Sequence, residues 1–258
     1  MQKYFLLPVI FIIFLIVVAC NSSPVKICPD NPHYFFYRNK SLVLITSDQH
    51  YGAVIDQDFD YVRYLDYIAD NGMNLTRIYP GAMFEPTDKY LPGNPLGPRP
   101  GRQLLPWIKS DQPGANQMLA EPGEPSFKYD LDKWNEKYFV RLKDFVEKAR
   151  KRNIIVEVAF FNGMYNDCWQ LMPMYHQNNI QNIGQYESEE CGLFTMNDPR
   201  NSDVMKYQKA YIRKITAELN EFDNLIFDIC DEPSLQGLPG GGLIFLPDSM
   251  VKPWIEEM

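Results

Sequence analysis

Asn224-Leu-Ile-Phe-Asp-Ile-Cys-Asp-Glu-Pro233 is an apolar run that stops abruptly on two acids and a proline. Leu225, Ile226, Phe227 and Ile229 form a short, nearly continuous apolar segment, as expected of a parallel strand covered on both faces. Pro233 cannot donate to a ladder and ends it. With a side-chain period of two, Asp228, Cys230 and Glu232 share one face, and Phe227 and Ile229 share the other. Acids on an otherwise apolar element are costly unless they are paired or take part in chemistry.

The chain around this strand reads as alternating strands and helices. Upstream, Ser202 to Glu221 has helical spacing, and Ile154 to Phe160 is an apolar strand preceded by an amphipathic helix over Leu131 to Arg152. Asn74-Leu-Thr-Arg-Ile-Tyr79 is an earlier strand. Phe59 to Asp70 is the helix before it, closed by Asn71-Gly72 as a C-cap. Two runs split by Arg38-Asn39-Lys40 predict a small hairpin whose second arm continues as a first core strand, Leu42 to Ser47.

Strands near 42, 74, 154 and 225 with a helix in each interval imply a parallel sheet with the helices outside. The long segments, Gly81 to Asp130 and Phe161 to Arg200, follow strand carboxyl ends, the habit of the (β/α)8 TIM barrel, whose active sites lie at that face. The expected fold class is therefore α/β, a (β/α)8 barrel truncated here to about the first four βα units, with Val251 to Met258 as the start of another helix.

The 258 residues are 45% hydrophobic and 14% aromatic, enough for one sizeable core. A net charge of -8 argues against nucleic acid as a partner. The only histidines, His33, His50 and His176, are scattered, and no CxxC occurs, so neither a metal site nor a cofactor is expected. Lys3 followed by the apolar run Tyr4 to Ala19 reads as a signal segment, residues 1–19. Val17-Val18-Ala19-Cys20 resembles the lipobox of bacterial lipoproteins, which makes Cys20 the lipidation site, 20–33 a tether and 34–258 the folded domain. That implies an exported protein held at a membrane. In such a compartment a bridge between Cys168 and Cys191 is one option and two free thiols the other.

Phe222-Asp-Asn-Leu-Ile-Phe-Asp-Ile-Cys-Asp-Glu-Pro-Ser234 resembles the fourth-strand signature of the clan A retaining glycoside hydrolases, family 5 (cellulase-like) and its relatives, which ends in Asn-Glu-Pro. Gly72-Met-Asn-Leu-Thr-Arg-Ile-Tyr79 is similar to that clan's second strand, with its active-site arginine. The resemblance implies a glycosidase acting on a polysaccharide or oligosaccharide by double displacement, with Glu232 as general acid/base and Arg77 in support. Asp228 and Glu157 are candidate partners for Arg77. Asp231 stands where the clan has the Asn that contacts the sugar 2-hydroxyl.

The clan's nucleophilic Glu belongs to a seventh strand that these residues do not reach, so the fragment is expected to be inactive. Candidate substrate contacts are His50 and Tyr51 after the first strand, Asn162 in place of a third-strand His, and Tyr165 and Trp169 as stacking rings. Trp107 either anchors its loop or stacks on sugar. The alternative function is a surface lipoprotein that binds glycans without cleaving them.

Overall fold

The computed structural model describes residues 23–46, 52–85, 97–162, 169–185, 202–231, 234–235, 244–245 and 248–258. The elements that position the site are three parallel strands, β4 (Leu75–Ile78), β7 (Ile155–Asn162) and β8 (Leu225–Asp231), paired in the order β4-β7-β8. Between them in sequence run α2 (Glu136–Lys151) and α3 (Ser202–Leu219), while α1 (Tyr61–Asp70) precedes β4. Among the described residues the parallel sheet has these three strands and does not close into a barrel.

The register fixes which side chains share a face. Arg77 lies opposite Glu157 and Glu157 opposite Ile226, so alternation directs Leu75, Arg77, Ile155, Glu157, Ile226 and Asp228 to one side. Ile78, Val156 and Val158 point the other way and join the main core with Leu142, Phe145 and Val146 of α2 and Tyr211, Ile212 and Ile215 of α3. Those helix residues recur at three- and four-residue spacing, which gives each helix one buried stripe. The α1 helix begins at Asp60, whose side chain accepts from the Arg63 amide at 3.0 Å, and ends at Asn71 before Gly72 at φ 74.

A second, smaller cluster lies at the starting ends of the strands. A hairpin of β1 (Lys26–Ile27), β2 (Phe35–Tyr37) and β3 (Lys40–Leu42) packs Tyr37 onto Leu75, Ile155 and Ile226. The Tyr37 hydroxyl donates to Asp223 at 3.0 Å, and the Val25 amide donates to the Asp223 carbonyl at 3.1 Å. Residues from Val25 onward, assigned from sequence to a tether as far as 33, thus take part in the fold. Residues 1–22, with Cys20, lie outside the described residues.

Three expectations change. The first core strand does not form as such: β3 ends at Leu42, and the chain beyond it is tied down by the Asn74 and Leu75 amides, which both donate to the Ile45 carbonyl, at 2.9 and 3.1 Å, and by the Asn74 side chain. Its Oδ1 accepts from the Ile45 amide at 2.8 Å and its Nδ2 donates to the Val43 carbonyl at 2.9 Å. The predicted helix over 131–152 starts at Glu136, because Phe127–Trp134 is a strand, β6, paired antiparallel with β5 (Trp107–Pro113). The long segment after β4 therefore holds a hairpin of its own. Finally, Trp107 is buried against Trp134 and Tyr211 at ring separations of 5.8 and 5.4 Å, so it anchors that hairpin and offers no face to a sugar.

Near the C-terminus, β9 (Ser234–Leu235) pairs antiparallel with β10 (Ile244–Phe245), and α4 (Asp248–Ile255) brings the buried Trp254 to within 5.9 Å of the Phe161 ring.

Candidate active site

Arg77 is the hub of a polar cluster at the carboxyl end of the sheet. Its Nη2 donates to Glu157 Oε1 at 3.1 Å and its Nη1 to Asp231 Oδ1 at 3.0 Å. The Tyr79 hydroxyl donates to the other Asp231 oxygen at 2.5 Å. Glu157 was one of the two partners considered for Arg77. The other, Asp228, is not its ion-pair partner. Asp228 accepts from the Cys230 amide at 3.2 Å instead.

The place of Asp231 is a product of the tertiary structure. Asp231 pairs in register with Asn162, and strict alternation would set it across the sheet from Arg77. As the last residue of β8 it escapes that rule. Both of its oxygens are taken on the Arg77 side, so Arg77 and Tyr79, two residues apart on the β4 segment and reaching past β7, clamp the point where β8 ends. Burial works against the Arg77 charge, but Glu157 and Asp231 outweigh it and hold the guanidinium protonated well beyond its ordinary range. Burial, reinforced by the Asp231 carboxylate, pushes the Tyr79 phenol far above its usual value. The Asp228 carboxyl is raised mainly by burial, with Glu157 and Asp231 adding like charge.

Of the residues singled out from sequence, Arg77, Asp231 and Asn162 come together: Asn162 is buried at the end of β7, beside Asp231 in register. Trp169 does not join them as a stacking ring. It is 0% exposed in a short 3-10 turn, Trp169–Leu171, with Tyr175 packed edge-on at 6.2 Å, and it belongs to the core. His50, Tyr51, Tyr165 and Glu232 lie outside the described residues, as do Cys168 and Cys191. Sequence reasoning missed Tyr79 as a member of the cluster. Its signal was present, since Tyr79 follows Arg77 by two and therefore shares its face.

No family model matches the chain, and no curated protein matches it. Solved structures do resemble it. A protein from Bacteroides vulgatus ATCC 8482 described as a glycoside hydrolase superposes with a TM-score of 0.50 at 16% identity, covering 81% of this chain and 32% of its own. An endo-1,4-beta-mannanase from Rhizomucor miehei gives 0.50 at 13% identity, covering 87% of this chain and 54% of its own. A glycoside hydrolase family 5 mannosidase from Rhizomucor miehei gives 0.49 at 15% identity, over 82% of this chain and 49% of its own. The chain thus shares the fold of the two that superpose at 0.50, and spans from about a third to about half of their length.

Proposed function

We propose that the chain carries the acid/base half of a retaining glycoside hydrolase acting on a polysaccharide or oligosaccharide, with Glu232 as the general acid/base. The observation that supports this most is the clamp on Asp231: Arg77 and Tyr79 hold both oxygens of the residue immediately before Glu232. In the first step Glu232 gives its proton to the glycosidic oxygen as a second carboxylate attacks the anomeric carbon and the leaving sugar departs. In the second, Glu232 takes a proton from water, which displaces that carboxylate. Asp231, with one lone pair on each oxygen already committed, retains others for a sugar hydroxyl that donates.

Neither inward acid of the described sheet can be that second carboxylate. Asp228 lies three residues before the end of β8 at Asp231, about 10 Å at about 3.3 Å per residue. Glu157, opposite Ile226, lies deeper still. A retaining pair sits about 5–5.5 Å apart. In this proposal the nucleophile comes from a later strand encoded beyond residue 258, and a lipid on Cys20 holds the exported protein at a membrane.

The test is an assay of the 258-residue chain, and of the chain extended by its downstream coding sequence, on mannan and cello-oligosaccharides. The extended chain should turn over, and Glu232→Gln should lower kcat by about 10²–10⁴-fold with sugar binding kept. Turnover indifferent to Glu232→Gln would refute the assignment, and an extended chain that binds sugar without any turnover would make the protein a glycan binder.

A further inference from the structure

The hairpin β1–β3 sits at the end of the sheet opposite the Arg77 cluster. Tyr37 and Val25 bond to Asp223, just ahead of β8, and the Arg38 guanidinium bonds to Asn153, just ahead of β7. Asp231, at the far end of β8, is six residues from Leu225 where the strand begins, about 20 Å at about 3.3 Å per residue. The hairpin also differs from the rest of the chain in charge and surface. Residues 23–46 carry Lys26, Arg38 and Lys40 against Asp30 alone, in a protein whose net charge is -8. All three basic residues are exposed, and between them the apolar side chains of Ile27 and Tyr34 are 56% and 40% exposed. Lys151 in the last turn of α2 is also at this end but is paired with Glu147 at 3.4 Å, and Asp70 at the end of α1 adds an acid.

We infer that this hairpin is a docking surface for an anionic lipid bilayer, so that the Arg77–Asp231 cluster faces away from the membrane. Basic side chains flanking exposed aliphatic and aromatic ones suit a headgroup layer, each Lys or Arg contributing about 1 kcal/mol, roughly fivefold in affinity. Cys20 precedes Val25 by five residues in the sequence, a tether so short that a lipid on Cys20 would hold this end against the bilayer. The inference rests on that lipid anchor but not on the glycosidase activity. A substrate polymer would then be met from the solvent side.

The test uses the full chain, expressed with its N-terminal segment in a bacterium, extracted in detergent and reconstituted on vesicles containing phosphatidylglycerol or on phosphatidylcholine alone. After modification with an amine-reactive reagent, each lysine is quantified by mass spectrometry. On anionic vesicles Lys26 and Lys40 should lose reactivity by about fivefold or more relative to detergent solution, from the contribution of basic side chains at such a surface. Lys133, 66% exposed beside the carboxyl-end hairpin, should be unchanged. A chain that does not float with the anionic vesicles overturns both anchor and surface. One that floats while Lys26 and Lys40 stay fully reactive, or with Lys133 protected instead, overturns the docking surface alone. Equal protection on phosphatidylcholine overturns the anionic partner.

Discussion

Arg77 divides one positive charge between Glu157 and Asp231, and Tyr79 completes the coordination of Asp231. Removing the cation leaves two carboxylates facing each other with their counter-charge gone. Arg77→Ala should therefore cost about 2–3 kcal/mol in urea denaturation, below the roughly 3–5 kcal/mol of a fully buried pair because all three side chains retain some exposure. Tyr79→Phe deletes one hydrogen bond to a charged acceptor and should cost about 1.5–3 kcal/mol.

Asp228 makes the opposite prediction from a paired acid. Its folded pKa is raised, so above the ordinary carboxylate range the native state holds more protons than the unfolded one, and stability falls as pH rises through that window. Asp228→Asn should flatten the decline and be more stable than the parent at neutral pH, read as Tm across pH 4 to 8. An unchanged pH slope would remove Asp228 from the electrostatics of the cluster.

At the scale of elements, the described parts of the segments after β4 and β7, residues 97–134 and 169–185, are built structures rather than loose connections. The β5–β6 hairpin hangs on Trp107, and Trp107→Ala should cost about 3–5 kcal/mol by leaving a large void. The 169–185 segment is pinned to β6 by the Tyr129 amide donating to the Asn178 carbonyl at 2.7 Å and the Ile180 amide to the Tyr129 carbonyl at 3.0 Å. Within it, Gly184 has φ 77, and a Cβ there would sit 2.0 Å from the Met174 carbonyl oxygen. Gly184→Ala should therefore expose this segment to limited proteolysis while the sheet stays protected.

Asp58 ties the segment ahead of α1 to Arg99 and Arg102, and hydrogen bonds from Arg102, then Arg99, hold its pKa down to about 2. A lowered folded pKa stabilises above the ordinary Asp range and is lost as pH falls from there towards 2. Asp58→Asn should remove that part of the acid-induced drop in Tm.

For the whole molecule, the three parallel strands among the described residues do not close into a barrel, and the inward Glu157 and Asp228 lie short of the carboxyl end of β8. The 258-residue chain should show no Glu232-dependent glycoside turnover, measured by release of reducing sugar. The same sheet has a directional character: an acidic and hydroxyl-lined carboxyl end, and a hairpin-covered amino end bearing Lys26, Arg38 and Lys40.

Much of this was legible in the sequence. The alternation of strand and helix, the apolar run ending at Asp231-Glu232-Pro233 and the inward set of Arg77 follow from periodicity, a local property of the chain. The positions of α1, β7, α3 and β8 needed nothing more. What the tertiary structure alone decided was partnership. Arg77 chooses Glu157 and Asp231 over Asp228 because parallel register and the release of alternation at the strand end bring those carboxylates within reach. Trp107 and Trp169 become core because segments distant in sequence close over them. Past Leu42 the expected first strand gives way to irregular contacts, with the Asn74 side chain on Val43 and Ile45 and the Asn74 and Leu75 amides sharing the Ile45 carbonyl, in place of a regular ladder. Periodicity states which way a side chain points, but what it meets there depends on contacts between residues tens to hundreds of positions apart.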